Sequence, residues 1–140
     1  MKQIARLPRM SCHLTKHLIR YMISPRIRPL AAHFFSTPGG REPVREWLRS
    51  LPVEARRLIG ADIQYVQFKW PIGRPRVAHV HDGVWEIRTS IDDRIARTLF
   101  AVVNERIIIL HGFIKKSQTL PLKELRLAAR RLKEFLDGET

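Results

Sequence analysis

The chain carries one cysteine, Cys12, which excludes an internal disulfide and any zinc site built from several thiolates. It has no apolar run near the ~18–20 residues that a membrane span requires, so the expectation is a cytoplasmic protein with no membrane partner. Several motifs are missing as well: a Walker-type glycine loop, a Gly-x-Ser-x-Gly elbow, a paired Asp/Glu motif, and any His-x₃-His or Cys-x₂-Cys ligand pair. His79 and His81 stand two apart, which on a strand turns both to one side, yet nothing nearby offers a third ligand. Neither a metal nor another cofactor is expected. Acidic residues are absent from residues 1–41, a stretch that holds eight Lys and Arg.

What is present is a strongly basic globular composition. Hydrophobic residues make up 44% and charged residues 28% of 140 residues, enough for one core and one domain. The formal charge of +13 points to a polyanionic partner, because cationic surfaces gain affinity by releasing counterions condensed on phosphates. Residues 42–140 hold eighteen basic against thirteen acidic residues, so whole-chain charge overstates that of the folded part. The division is therefore residues 1–29, a basic N-terminal extension or a misassigned start with Met10 or Met22 as the true one, and residues 30–140, the folded domain. A transit peptide is the competing reading of the first part.

Leu30 to Ser36 reads as a strand ended by Thr37-Pro38-Gly39-Gly40, with His33 expected to be packed. Glu42 to Leu51 predicts a short helix, with Val44, Trp47, Leu48 and Leu51 on one stripe. Pro52 to Phe68 predicts a second, the two forming a hairpin over one sheet face. Lys69 to Arg76 is a loop in which Trp70, beside Lys69, Arg74 and Arg76, either stacks a nucleobase or caps the core. The last helix, Pro121 to Asp137, alternates leucines with basic residues and packs on the sheet or receives a partner helix.

Between loop and last helix lie the β-rich runs, with Asp82-Gly83 and Asn104-Glu105 at joints that predict an antiparallel meander. Val84, Trp85, Ile87, Leu99, Phe100, Val102, Val103, Ile107, Ile109 and Leu110 can supply a core-facing sheet face. Arg88, Arg94, Arg97 and Lys115 or Lys116 can converge on or beside the other. Phe113 could stack a base or belong to the core. The plain alternative for Arg88, Arg94 and Arg97 is ion pairing with Glu86, Asp92 or Asp93.

The segments Asp82-Gly83-Val84-Trp85-Glu86-Ile87-Arg88, Arg94-Ile95-Ala96-Arg97-Thr98-Leu99-Phe100 and Leu110-His111-Gly112-Phe113-Ile114-Lys115-Lys116-Ser117-Gln118-Thr119-Leu120-Pro121 resemble the phage-derived HigB-like branch of the RelE/ParE toxin superfamily. Gly40 to Leu48 is similar to the start of that family's first helix. The resemblance implies an α+β, RelE-like fold: a small, mainly antiparallel sheet packed by an N-terminal helical hairpin and a C-terminal helix. It implies the toxin of a type II toxin–antitoxin pair, a ribosome-dependent, metal-independent mRNA endoribonuclease whose partners are a helix-turn-helix antitoxin, the ribosome and mRNA. The alternatives are a ParE-like gyrase inhibitor without catalysis and an inactive phage-derived basic binding module. Arg88, Arg97, Lys115 and Lys116 fall on basic positions of the family, so the catalytic set expected is Arg88, His79, Lys115 and Arg97; RNA contacts are expected at Lys116 and, from their own chemistry, at Arg76, Arg94 and Phe113. His79 stands where many relatives carry lysine or arginine, and the tyrosine that some members use is missing from Ser117 to Pro121. The chemistry needs a base for the 2′-OH, fixed positive charge on the phosphorane, and an acid for the leaving oxygen. Arginine suits the charge and imidazole or lysine the proton transfers.

Overall fold

The structure, a computed structural model, describes residues 28–116 and 119–139. The readings of the N-terminal extension, its alternative starts and Cys12 lie outside the described residues. The elements run β1 (Ala31–Phe34), α1 (Pro43–Ser50), α2 (Val53–Lys69), β2 (Val77–His81), β3 (Val84–Ile91), β4 (Arg94–Val103), β5 (Arg106–Lys115) and α3 (Leu122–Gly138). This is an α+β arrangement in which a strand precedes the helical hairpin. Pro43 begins α1 where its missing N–H has no intrahelical partner to lose. Asn104 and Glu105 both take positive φ, the geometry of a two-residue hairpin whose twist matches the strands. A further tight joint, Asp92-Asp93, links β3 to β4, with Asp92 also at positive φ.

The five strands form one sheet in the order β1-β5-β4-β3-β2, antiparallel except for β1 against β5. Its apolar residues do not gather on one face, as the composition of the strands suggested. Strand alternation divides them between two. Trp85, Ile87, Phe100, Ile107 and Ile109 pack under α1 and α2. Val84, Leu99, Ile108 and Leu110 pack under α3 with Phe35, Ala128 and Leu132. The sheet is thus buried on both sides, and each large apolar side chain taken from water contributes ~1.5–3 kcal/mol. Trp70 meets Trp85 and Phe100 edge-on at 4.9 and 5.6 Å between ring centroids, which makes it a lid on the hairpin-side core. His33 is exposed rather than packed, because β1 is short and lies at the sheet edge.

Two irregularities decide which side chains share a face. On β5 the register slips between Leu99 and Phe100, so Leu110 is an extra residue and His111 follows it onto the α3 side. Gly112 then turns toward α1, and a Cβ there would overlap the Trp47 ring. On β2 a slip between His79 and His81 pairs His79 with Trp85 and His81 with Val84, so the two histidines fall on opposite faces. The shared side that simple alternation predicts is lost to that bulge. Among the described residues no helix is long and apolar enough to cross a membrane.

Close contact between the indole and the β5 backbone makes Gly112 irreplaceable by size rather than by φ. Gly112→Ala is expected to lower stability by ~1–3 kcal/mol in urea unfolding, the cost of overpacking a filled site. With Trp47→Leu in the same chain, the combined loss should be smaller than the sum of the two single losses.

Candidate functional site

On the α3 side, the register across β3, β4 and β5 gives three successive rows: Glu86, Leu99, His111; then Arg88, Arg97, Phe113; then Ser90, Ile95, Lys115. Arg88, Arg97, Phe113 and Lys115 therefore share one face. Their accessibility differs sharply. Arg97 is 1% exposed, and its guanidinium donates to Glu86 Oε2 at 2.7 Å. A guanidinium beneath the sheet surface cannot meet a phosphate, so the catalytic assignment of Arg97 is withdrawn in favour of the ion-pair alternative. Phe113 is 7% exposed within the α3-side core and is no stacking platform either.

Arg88 remains at the surface. Its Nε lies 3.8 Å from Glu86 Oε1, so one buried carboxylate stands between two guanidinium groups. The looser contact belongs to the more exposed arginine. Arg88 and Arg76 line a hollow of about 370 Å³ together with Pro75, Ser90 and Ile95. The Arg88 N–H donates to the Arg76 carbonyl at 2.9 Å, which fixes the end of the loop against the middle of β3. Arg76 in turn lies over the Tyr65 ring at 4.4 Å and 4.0 Å from Asp62, contacts that hold its guanidinium without burying it. Lys115 is the cross-strand neighbour of Ile95 in the hollow's wall, with Nζ 5.9 Å from the Phe113 ring centroid. The chemistry of this set is oxyanion binding by up to three cations around a shallow, partly apolar floor.

The other expected residues are not gathered here. His79 lies on the hairpin side with its ring 4.9 Å from that of Trp85, so the sheet separates it from Arg88. Its proton-transfer role beside Arg88 is therefore corrected. Arg94, paired with Ile91, also falls on the hairpin side by strand alternation. Lys116 sits at the sheet's end, with Nζ 3.0 Å from Asp93. A larger hollow, about 570 Å³, lies at the end of α3, but Glu134, Asp137 and Glu139 line it and suit no phosphate.

Glu86 was legible only as one of three candidate partners for the arginines, and the structure selects it for Arg97 and Arg88. Sequence reasoning missed Glu124, whose Oε1 accepts from His111 Nε2 at 3.0 Å. Burial holds the His111 imidazole below the usual histidine range, and the Glu124 contact only partly offsets it.

Replacing Glu86 by Ala leaves Arg97 buried without its carboxylate. A loss of ~3–5 kcal/mol in urea unfolding is expected, with much of it recovered when Arg97→Met accompanies Glu86→Leu. For His111, the folded chain binds fewer protons than the unfolded chain between the lowered value and the ordinary ~6.5, so its contribution is complete above that range and lost as pH falls through it. The urea midpoint should decline as pH falls below about 7, and His111→Gln should flatten that decline.

No curated protein matches the chain. A family model described as "Phage derived protein Gp49-like (DUF891)" matches residues 46–133, a span that begins in α1, contains the whole meander with Glu86, Arg88 and Arg97, and ends within α3. The match covers more than half of the sequence, and the chain belongs to the family of phage-derived Gp49-like proteins.

Proposed function

We propose that the chain is a toxin module of the HigB-like, RelE-related kind that acts on RNA, a ribosome-dependent endoribonuclease restrained by an antitoxin. The observation that carries the reading is the hollow shared by Arg88 and Arg76, with Lys115 in the adjoining row, on a chain whose family is phage-derived. In the proposed reaction a ribose 2′-OH attacks its own 3′-phosphate. The 2′-OH proton passes to solvent water as the P–O5′ bond breaks and the departing O5′ takes a proton from water, leaving a 2′,3′-cyclic phosphate and a 5′-OH end. Arg88 holds two non-bridging oxygens with its planar fork as the phosphorane forms. Arg76 anchors a neighbouring phosphate, and Lys115 supplies a second charge near the leaving oxygen.

One observation favours a second reading, that of a binder without chemistry such as a ParE-like gyrase inhibitor or an inactive phage remnant. Among the described residues lining the hollow none is a histidine, which leaves the proton abstraction without an imidazole. Binding a phosphate or an acidic protein surface needs only the cations.

Inducing the chain alone in cells and mapping RNA 5′ ends separates these readings. Endonuclease action predicts growth arrest with new 5′-OH ends inside translated codons. Arg88→Ala should reduce cleavage by about 10²–10³ while the protein stays folded, a loss of the size seen when one oxyanion-stabilising donor is removed. Full cleavage by that variant would refute the site. Arrest with intact messages and a DNA-damage response would favour the gyrase reading, and no arrest the inactive module.

A further inference from the structure

A second built feature lies on the opposite edge of the sheet from β2, away from the Arg88 hollow. β1 pairs with β5 only through Ala31–Phe34 opposite Arg106–Ile109, and the Phe35 N–H closes that contact on the Ile109 carbonyl. From Leu110 to Lys115, β5 has β4 on one side and, among the described residues, no strand on the other. Such an edge is a template for an added strand unless something blocks it.

Beside that edge sits a notch of about 200 Å³ lined by Pro43, Val44, Trp47, His111, Gly112 and Arg131. Arg131 reaches across from α3 and donates from Nη1 to the Leu110 carbonyl at 2.8 Å, with its guanidinium 5.6 Å from the Phe35 ring centroid. Among the described residues it makes no ion pair with a carboxylate, although partial burial and the neighbouring charges of Arg130 and Arg41 work against its cation. Glu134 is the acid whose charge it feels, from its own helix. Partly buried cations ordinarily find an anion, because leaving one uncompensated is costly. His111 completes the polar wall: Glu124 takes its Nε2–H, so Nδ1 remains for another partner. The remaining wall is apolar, with the indole of Trp47 against the side-chain-free Gly112.

We propose that this notch is a carboxylate-binding site, and that the carboxylate is an Asp or Glu side chain carried by an extended segment of a protein partner lying along β5 from Leu110 to Lys115. The open edge supplies backbone hydrogen bonds, and the notch supplies selection for acid at one position along the strand. Charge favours an acidic segment: Arg131 lines the notch, Arg130 and Arg41 lie near enough to act on its charge, and Lys115 ends the edge. Among the acids of the packed elements, Glu124 is occupied by His111, Glu134 lies 4.0 Å from Arg130, and Glu46 and Glu42 beside α1 are paired with Arg41 and Arg45. Seating a carboxylate beside the neutral imidazole favours its protonation, so binding should take up a proton and tighten as pH falls.

The test is an NMR titration of the full chain with a blocked Val-Glu-Val-Glu-Val peptide and its Val-Gln-Val-Gln-Val counterpart. The acidic peptide should shift backbone amides of Leu110 to Lys115 and bind at least about tenfold more tightly than the neutral one, the scale of a partly buried charge pair. Arg131→Gln should remove that preference, and His111→Gln should remove its pH dependence while leaving binding in place. If Arg131→Gln fails to fold, Arg131→Lys serves, since an ammonium cannot span both the Leu110 carbonyl and a carboxylate as the fork does, and a weakening of several-fold is expected. Absence of binding, equal binding of the two peptides, shifts confined to Arg76 and Arg88, or displacement by equimolar inorganic phosphate would each overturn the proposal.

Discussion

The Glu86 carboxylate holds the α3-side face of β3 and β4 together. Buried between Arg97 and Arg88, it accepts from one guanidinium beneath the surface and restrains a second at it. A charge inside a protein persists only when paired, and the pair gives little net stability while penalising every arrangement that separates it. Here that penalty disfavours any register of β3 on β4 that would part the two, and in the observed one Arg88 stands opposite Arg97 with Glu86 diagonal to it. Orientation of the exposed arginine is thus a by-product of the core.

Covering the sheet on both sides is the second constraint. With α1 and α2 on one face and α3 on the other, only the ends and edges of the strands remain open to a partner. The hollow at Arg88 occurs where α3 no longer covers β3 and β4, and the notch at His111 where β1 stops short along β5. Both sites are margins of a filled structure, and both use arginines that the core positions through a second contact. Arg76 rests on Tyr65 and Arg131 on the Leu110 carbonyl.

Much of the element layout was legible in the chain. Pro43, Pro52 and Pro121 mark helix starts, and Asp82-Gly83 and Asn104-Glu105 mark hairpins, since these depend on backbone preferences within a few residues. Arg88 as a surface cation on β3 followed from the same local pattern. The faces did not. Strict alternation places His79 and His81 together, and reading the strands by apolar composition assigns to one side residues such as Val84 and Trp85 that lie on two. Two bulges, at His79/His81 and at Leu99/Phe100, shift that count by one residue each. A period-two pattern carries no mark of where an extra residue enters.

The sequence by itself determined the strongly basic charge, the strand and helix segments and their turns, because each follows from composition or from neighbours in the chain. Only the tertiary structure decided which cations are available to a ligand. Arg97, Arg88 and Lys115 look alike along the chain, yet Arg97 is locked under the surface by an acid eleven residues away while the others are only half-buried. Burial and pairing are properties of packing between strands, and the order of residues within one strand does not encode them.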